Sequence, residues 1–459
     1  MDAARIVDYS IAMMTLASGL TALVAGPVFE RGQPGYDEEV AGFNAAVVHH
    51  PEMVVAASST ADLVEAVRFA RGRGWRIGVH STGHGAHRPF DTGLLITTRR
   101  LDRVHIDPAA RAATAGAGAR WAAVVAPAAP HALAPIAGSA PSVGVVGFLI
   151  GGGIGPLARS HGFGSDYLTE ATLVTGTGEL VTASADQNPD LLWALRGGKP
   201  GLGVVAEVKL RLAHLPALYA GSLFFEEGHI EAALRSWIAW TAQAHALVTT
   251  SVAIVRFPPI EAVPPPLRGR RLLTLRFAYP GDAAEGARLA APLRALAPVY
   301  LDMLDALPIA EVARIFNDPS GPVPAWVSGG MLTKVDQDFA STLLRHVGAG
   351  TDGPFLAAEV RHLGEAITRD VPGGSAVGGR GARFTLGLIG TNPTHFATIL
   401  PEAEARLVGD LAPWLSSEAN GNFAPHPDVR RPATTTVPAA VRAKLADLRR
   451  RHDPDGLFS

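Results

Sequence analysis

Residues 138–155 read Gly138-Ser139-Ala140-Pro141-Ser142-Val143-Gly144-Val145-Val146-Gly147-Phe148-Leu149-Ile150-Gly151-Gly152-Gly153-Ile154-Gly155. So dense a run of glycine lets the backbone take φ > 0 and approach a ligand closely, and it can turn N–H groups toward an anion. The pattern is not a dinucleotide fingerprint, because no Gly-x-Gly-x-x-Gly lies between strand and helix with an acid about 20 residues on, and no Gly-Lys-Ser/Thr follows as in a P-loop. A structural turn and a wall for a phosphate-bearing cofactor both fit. Upstream, Val79-His80-Ser81-Thr82-Gly83-His84-Gly85-Ala86 has the same loose backbone and sets a histidine between two glycines. Together the two stretches point to a large anionic cofactor held by main chain.

The elements around them are short and mixed. Met53 to Ala57 is strand-like, and Ser59 is an N-cap for an amphipathic helix with apolar positions at Leu63, Val64, Val67 and Phe69 that stops at Gly72 and Gly74. Trp75 to Val79 is a second strand that runs into the His84 loop. Strands are expected at 94–97, 104–107 and 112–117, then a helix at 120–126. Beyond the glycine run, strands at 173–175, 178–182 and 204–212 surround a Gly-Thr-Gly hairpin turn, with a short helix from Asp190 to Arg196. After Pro216 longer helices (229–244, 282–296, 336–347) alternate with strands (248–257, 272–278), which predicts an α+β second domain with an antiparallel sheet. The chain then becomes loop-like from Trp414 through the Pro/Arg stretch ending at Pro432, and closes with a helix at 437–451.

At 459 residues the chain has room for about two to four domains, and two are expected. With 40 Lys+Arg against 42 Asp+Glu and no basic run, it lacks the footprint of a nucleic-acid binder. It contains no cysteine, which excludes disulfides, thiolate metal sites and cysteine nucleophiles. The apolar run from Ile11 to Phe29 has spanning length, but Asp2, Arg5 and Asp8 precede it in place of a positive flank. A buried helix ending between Gly19 and Gly26 is the expectation, in a cytoplasmic protein without a membrane partner; export stays open.

His84 admits three readings. His80, His84 and His87 have ligand-like spacing, yet Gly83 and Gly85 break the helix that would place an i, i+4 pair on one face. A satisfied structural histidine is the second. The third is a covalent cofactor link, because an imidazole with an ordinary pKa of about 6.5 is available as a nucleophile near neutrality.

The two stretches, in this order and separation, resemble the FAD domain of the vanillyl-alcohol oxidase superfamily (PCMH-type FAD-binding proteins), and most closely its berberine bridge enzyme-like branch. Members carry an R-x-G-G-H-like loop and then G-x-C-P-x-V-G-x-x-G-x-x-x-G-G-G-x-G, matched here by Gly138, Pro141, Val143, Gly144, Gly147, Gly151, Gly152, Gly153 and Gly155. The resemblance continues through His161-Gly162-Phe-Gly-Ser-Asp166, Leu192-Trp-Ala-Leu-Arg196-Gly-Gly, Gly203-Val204-Val205 and the terminal His452-Asp-Pro-Asp-Gly-Leu-Phe, so it covers about the first 210 residues and the tail. It implies an FAD domain over 1–213, a substrate domain over 214–416 that covers the flavin with an antiparallel sheet, and a segment over 417–459 that returns to the FAD domain.

By the same resemblance His84 takes the place of the histidine joined to the flavin 8α-methyl carbon. The main chain of Ser81, Thr82, Gly83 and Gly85 is implied at the pyrophosphate, with His80 as a further cofactor-binding residue. Gly138, Ser139, Ala140, Val143, Gly144, Gly147, the three consecutive glycines, Gly155, His161, Gly162, Val204 and Val205 are implied along the remainder of the cofactor, and Asn422 near its ring system. Two departures matter. Ala140 stands where doubly attached members have a cysteine, so no 6-S-cysteinyl bond is possible; Asn420 stands where many have a tyrosine base. A replacement base is sought in the second domain, where the resemblance puts Glu359-Val-Arg361-His362 and Gly379-Arg380 on strands facing the flavin, at His362, with Arg361 or Arg380 holding an anionic or phenolic substrate oxygen; alternation sends Arg361 and His362 to opposite faces. The implied activity is oxidation of a small, secondary-metabolite-like molecule with hydride passing to the flavin and O2 as acceptor. A flavin-scaffolded, non-redox cyclase or binding protein is the alternative.

Overall fold

The computed structural model describes residues 16–199, 201–426 and 438–458. Ser59 caps the helix Thr60–Gly72 by accepting a hydrogen bond from the Asp62 N–H at 3.1 Å. That helix buries Leu63, Ala66, Val67 and Ala70 in one core with Met53, Val55, Leu94 and Ile96. These apolar residues belong to a four-stranded sheet ordered Val28–Glu30, Met53–Ala56, Leu94–Thr97, Ile77–His80, the last three parallel. A five-stranded antiparallel sheet lies against the other flank of the helix, in the order Val104–Asp107, Ala112–Gly116, Val204–Arg211, Leu168–Val174, Leu180–Ser184. Its strand Val204–Arg211 shows why it is half-buried: Val208 and Leu210 are inside while Glu207, Lys209 and Arg211 face water. The C-terminal helix Ala439–His452 adds Leu445 and Leu448 to the core of this second sheet, and Ile77 N–H donates to the Leu457 carbonyl.

A large antiparallel sheet follows, ordered Leu301–Asp302, Tyr219–Glu226, Arg271–Tyr279, Thr249–Arg256, Ala357–His362, Phe384–Gly390, Trp326–Leu332, with Asp305–Ala306 also paired to Tyr219–Glu226. One face is apolar and packs under the helices Ile230–Thr241, Ala283–Arg294, Gln337–Val347 and Ile399–Asp410. The register places Ser251, Arg276, Arg361 and Thr385 abreast, with Glu359 and Thr274 in the next row of the same opposite face. This polar face is turned to the first half of the chain, since Met331, on that side, shares a core with Ile154, Phe163 and Val377.

Several expectations are corrected. Gly379 and Arg380 lie in a loop, not on a strand. The strands Tyr219–Glu226, Trp326–Leu332 and Phe384–Gly390 and the helix Ile399–Asp410 were not foreseen. Of the N-terminal apolar run, residues 11–15 lie outside the described part; Leu16–Thr21 is helical with Leu20 fully buried, and among the described residues no helix is long and apolar enough to cross a membrane. The Pro/Arg stretch over 427–432 and the first residue of the last expected helix, 437, also lie outside it.

Candidate active site

The strand Ile77–His80 delivers the chain into the His84 loop, and the short helix Val145–Ile150 starts directly opposite. A Cβ placed on its N-cap, Gly144, would lie 3.3 Å from Ser81 Oγ and 3.5 Å from Thr82 Oγ1. Among the described residues no side chain caps that helix, and Ser81 Oγ is buried without a hydrogen-bond partner. Gly85 and Gly147 are exposed with open space beside them, whereas Gly83, at φ 74°, closes against Gly42 and His80. Uncapped N–H groups, an orphaned hydroxyl and unfilled space above glycine fit a phosphate-bearing cofactor.

The other glycines serve the protein's own packing. A Cβ on Gly153 would come within 2.4 Å of the Phe148 ring and one on Gly138 within 2.8 Å; one on Gly155 would meet the Ala137 carbonyl at 1.9 Å. Gly151 and Gly152 receive the C-terminal loop. Asn422 lies over Gly151 and donates from Nδ2 to the Phe148 carbonyl at 2.8 Å; Asn420, fully buried over Gly152, accepts from Asn422 N–H at 3.0 Å. Asn420 Nδ2 has no partner among the described residues. Ser139 and Val143 are half-buried and Ala140 is buried, its carbonyl accepting from Val143 N–H. Val204 and Val205 point into the two apolar cores, so only their main chain can face a ligand.

The three spaced histidines diverge, and among the described residues no group of three side chains is arranged for a metal ion. His80 is buried between Gly42 and Gly83 with both ring nitrogens unpartnered among the described residues, and burial pulls its pKa down to about 3. His87 meets His426 edge-on at 5.8 Å; burial, then Lys199 and His426, lowers it to about 4. His84 is stacked on Phe43 with ring centres 3.6 Å apart and sets Nε2 3.0 Å from Ser142 Oγ. Burial first and Arg120 second lower its pKa to about 4, so a neutral imidazole stands at the mouth of the two glycine loops. His161, lowered by burial, has Nδ1 2.7 Å from Ser160 Oγ, and Gly162 follows it at φ 85° against Asp166.

The second-half candidates separate. His362 lies on the apolar side of the sheet, stacked on Phe384 at 4.9 Å, with Nε2 3.0 Å from Arg159 Nη1. Burial, then Arg159 and Arg383, lowers it to about 2, and its one acceptor nitrogen is engaged by the guanidinium. Arg380 is taken up by Asp166, Asp370 at 3.0 Å and Ser375 at 2.9 Å. It is a tie between the two halves and has little left for a substrate. Arg361 is on the polar face. Its Nε donates to Glu359 Oε2 at 2.8 Å, while Arg276 Nη1 donates to Glu359 Oε1 at 2.9 Å and Ser251 Oγ to the same oxygen at 3.0 Å. Burial raises the Glu359 carboxyl, but Arg361 and Arg276 outweigh it and hold it below its ordinary pKa. Phe316 lies 4.5 Å from the Arg276 guanidinium and 4.8 Å from that of Arg361, which Phe423 flanks from the C-terminal loop at 5.0 Å. Glu359, Arg276, Ser251, Phe316 and Phe423 were not singled out as site residues. The available signal was the alternation of polar residues, Thr249 with Ser251, Thr274 with Arg276 and Glu359 with Arg361, in strands otherwise apolar.

Residues 51–184 match the FAD_binding_4 family, an FAD binding domain. The chain is 34% identical to (R)-6-hydroxynicotine oxidase of Paenarthrobacter nicotinovorans over 206 residues, 43% of this chain and 45% of that one. It is 30% identical to the FAD-linked oxidoreductase pgmH of Aspergillus terreus over 59% of this chain and 54% of the relative, so it spans about half the length of these curated relatives. The FAD-linked oxidoreductase YgaK of Bacillus subtilis is similar at 23% identity over 95% of this chain and 96% of its own. Among solved structures, 6-hydroxy-D-nicotine oxidase of Arthrobacter nicotinovorans superposes with a TM-score of 0.80 at 22% identity over 95% and 96% of the two chains. The berberine bridge enzyme-like 1 protein of Physcomitrella patens gives 0.83 at 19% over 97% and 98%. The chain thus carries an FAD binding domain over residues 51–184 and shares its overall fold with 6-hydroxy-D-nicotine oxidase and the berberine bridge enzyme-like 1 protein.

Proposed function

We propose that the chain is an FAD-dependent oxidase of a small organic molecule, with its flavin attached through His84 and dioxygen as the electron acceptor. The observation that carries this reading is the meeting of two surfaces: the polar sheet face with Arg361 stands against Ile154 and Phe423, one step from the glycines and asparagines at 151–152 and 420–422. A flavin held there would supply the electron sink that accepts hydride from the substrate, while the protein contributes orientation and electrostatics. Main chain at Ser81, Thr82, Gly85, Gly144 and Gly147 would hold the pyrophosphate, and His161 and Gly162 the ribityl side. The neutral His84 would make the one covalent bond, since a chain with Ala140 and no cysteine cannot make a second through sulfur. We take residues 1–213 with 417–459 as the cofactor domain and 214–416 as the substrate domain, because among the described residues the apolar core under the large sheet is built from those between Tyr219 and Leu415.

Precipitation of the purified protein with acid tests the attachment. Yellow colour and flavin fluorescence should stay with the polypeptide and should leave it in His84→Ala; colour wholly in the supernatant of the wild type overturns the link while sparing bound FAD. Anaerobic addition of a substrate panel should bleach the flavin, and air should restore it. Compounds that bind tightly without bleaching would instead support the non-redox cyclase or binding role.

A further inference from the structure

A cavity lies between the segment around Ile154 and Pro156 and the polar face of the large sheet, lined there by Thr249, Ser251, Arg276, Phe316 and Arg361. Its charges do not balance. Two guanidiniums, each with only 13% of the side chain exposed, share the single carboxylate of Glu359, and both oxygens of that carboxylate are already engaged. Among the described residues Arg276 Nε is buried without a partner, and so are the hydroxyls of Thr274 and Thr385 on the same face. A cluster holding one excess positive charge and idle donors out of bulk water favours a compensating anion. A planar guanidinium fork suits a carboxylate. The rings of Phe316 and Phe423 beside the guanidiniums favour a flat body on the same molecule.

We infer that the cavity between Ile154 and the polar sheet face binds its substrate through a carboxylate, recognised by Arg276 and Arg361, with an aromatic or conjugated body against Phe316 and Phe423. The inference rests on the reading of this surface as the substrate side of the cofactor. It also assigns Glu359 a different task from a base: its carboxylate spaces the two arginines and fixes their planes.

Benzoate and its neutral isostere benzamide probe this directly by calorimetric titration of the purified holoprotein. Benzoate should bind one per chain, at least about tenfold tighter than benzamide, as loss of a charge-assisted hydrogen bond requires. Arg276→Gln and Arg361→Gln, checked for native circular dichroism, should each weaken benzoate by about tenfold or more and leave benzamide unchanged. Equal affinity for the two probes in the wild type, or no binding of benzoate, overturns the inference without recourse to any variant. So does benzoate binding unchanged in both folded variants. A colourless protein that fails to bind FAD would defeat the proposed function and leave the benzoate comparison standing; a yellow protein that does not distinguish the probes defeats this inference alone.

Discussion

At His362 the alternation of a strand decides a chemical role. Arg361 and His362 are neighbours, and the pleat sends the first to the polar face and the second under the helices, against Phe384 and Arg159. A base must present a free lone pair to the reacting group. His362 spends its acceptor on Arg159, so His362→Gln, which keeps an acceptor there, should retain flavin content and a kcat close to the wild type; loss of a true base lowers the rate by about a hundredfold or more. The same residue carries a pH effect on stability. Its folded pKa of about 2, and that of about 3 at His80, lie below the ordinary histidine value, so the unfolded chain binds protons first as the solution is acidified. Their contribution is complete above about pH 6.5 and is lost as pH falls toward the folded values, by up to about 2 kcal/mol for each group by about pH 5. Urea unfolding at a series of pH values should therefore give a falling midpoint below neutrality, with a shallower slope in His362→Gln.

The glycine run shows how far an element can be foreseen. Its backbone freedom and its place beside the His84 loop were legible, because glycine content and motif order are local properties of a chain. Two of its seven glycines, and Gly164 beyond it, nevertheless answer to one ring. Phe148, edge-on to Trp121 at 5.4 Å, occupies the space that a Cβ on Gly138, Gly153 or Gly164 would need. Which distant atom a glycine makes room for is a long-range fact that spacing does not carry. Gly153 has φ 76° as well as that contact, so Gly153→Ala should cost about 2–4 kcal/mol through overpacking and a left-handed backbone. Shrinking the ring should recover part of it: in a cycle with Phe148→Leu, urea unfolding should show a coupling of about 1 kcal/mol or more. Additive costs would mean that the ring is not what the glycine accommodates.

Across the whole molecule most strands of the first half were readable in order, while the polar face of the large sheet was not. Its members Ser251, Arg276, Phe316, Glu359, Arg361 and Phe423 come from three strands and two loops, and only the antiparallel register brings Ser251, Arg276 and Arg361 abreast with Glu359 in the next row. Arg380 was misread for the same reason. A lone arginine near a suspected site looks like a substrate clamp until its partners are known, and here they are Asp166, from the family-like segment of the first half, and Asp370 and Ser375 of the second. Asp166 is buried, accepts from Phe163 N–H at 3.0 Å, and has its carboxyl raised by burial against the pull of Arg380. Cutting this tie from one side strands a buried charge. Arg380→Met should therefore cost about 3–5 kcal/mol in urea unfolding, the range for breaking a buried pair. Asp166→Asn combined with Arg380→Met removes the stranded charge and should regain at least about half of that loss. A double variant as unstable as the sum of the two single changes would show that Arg380 stabilises the junction through Asp370 and the loop carbonyls alone.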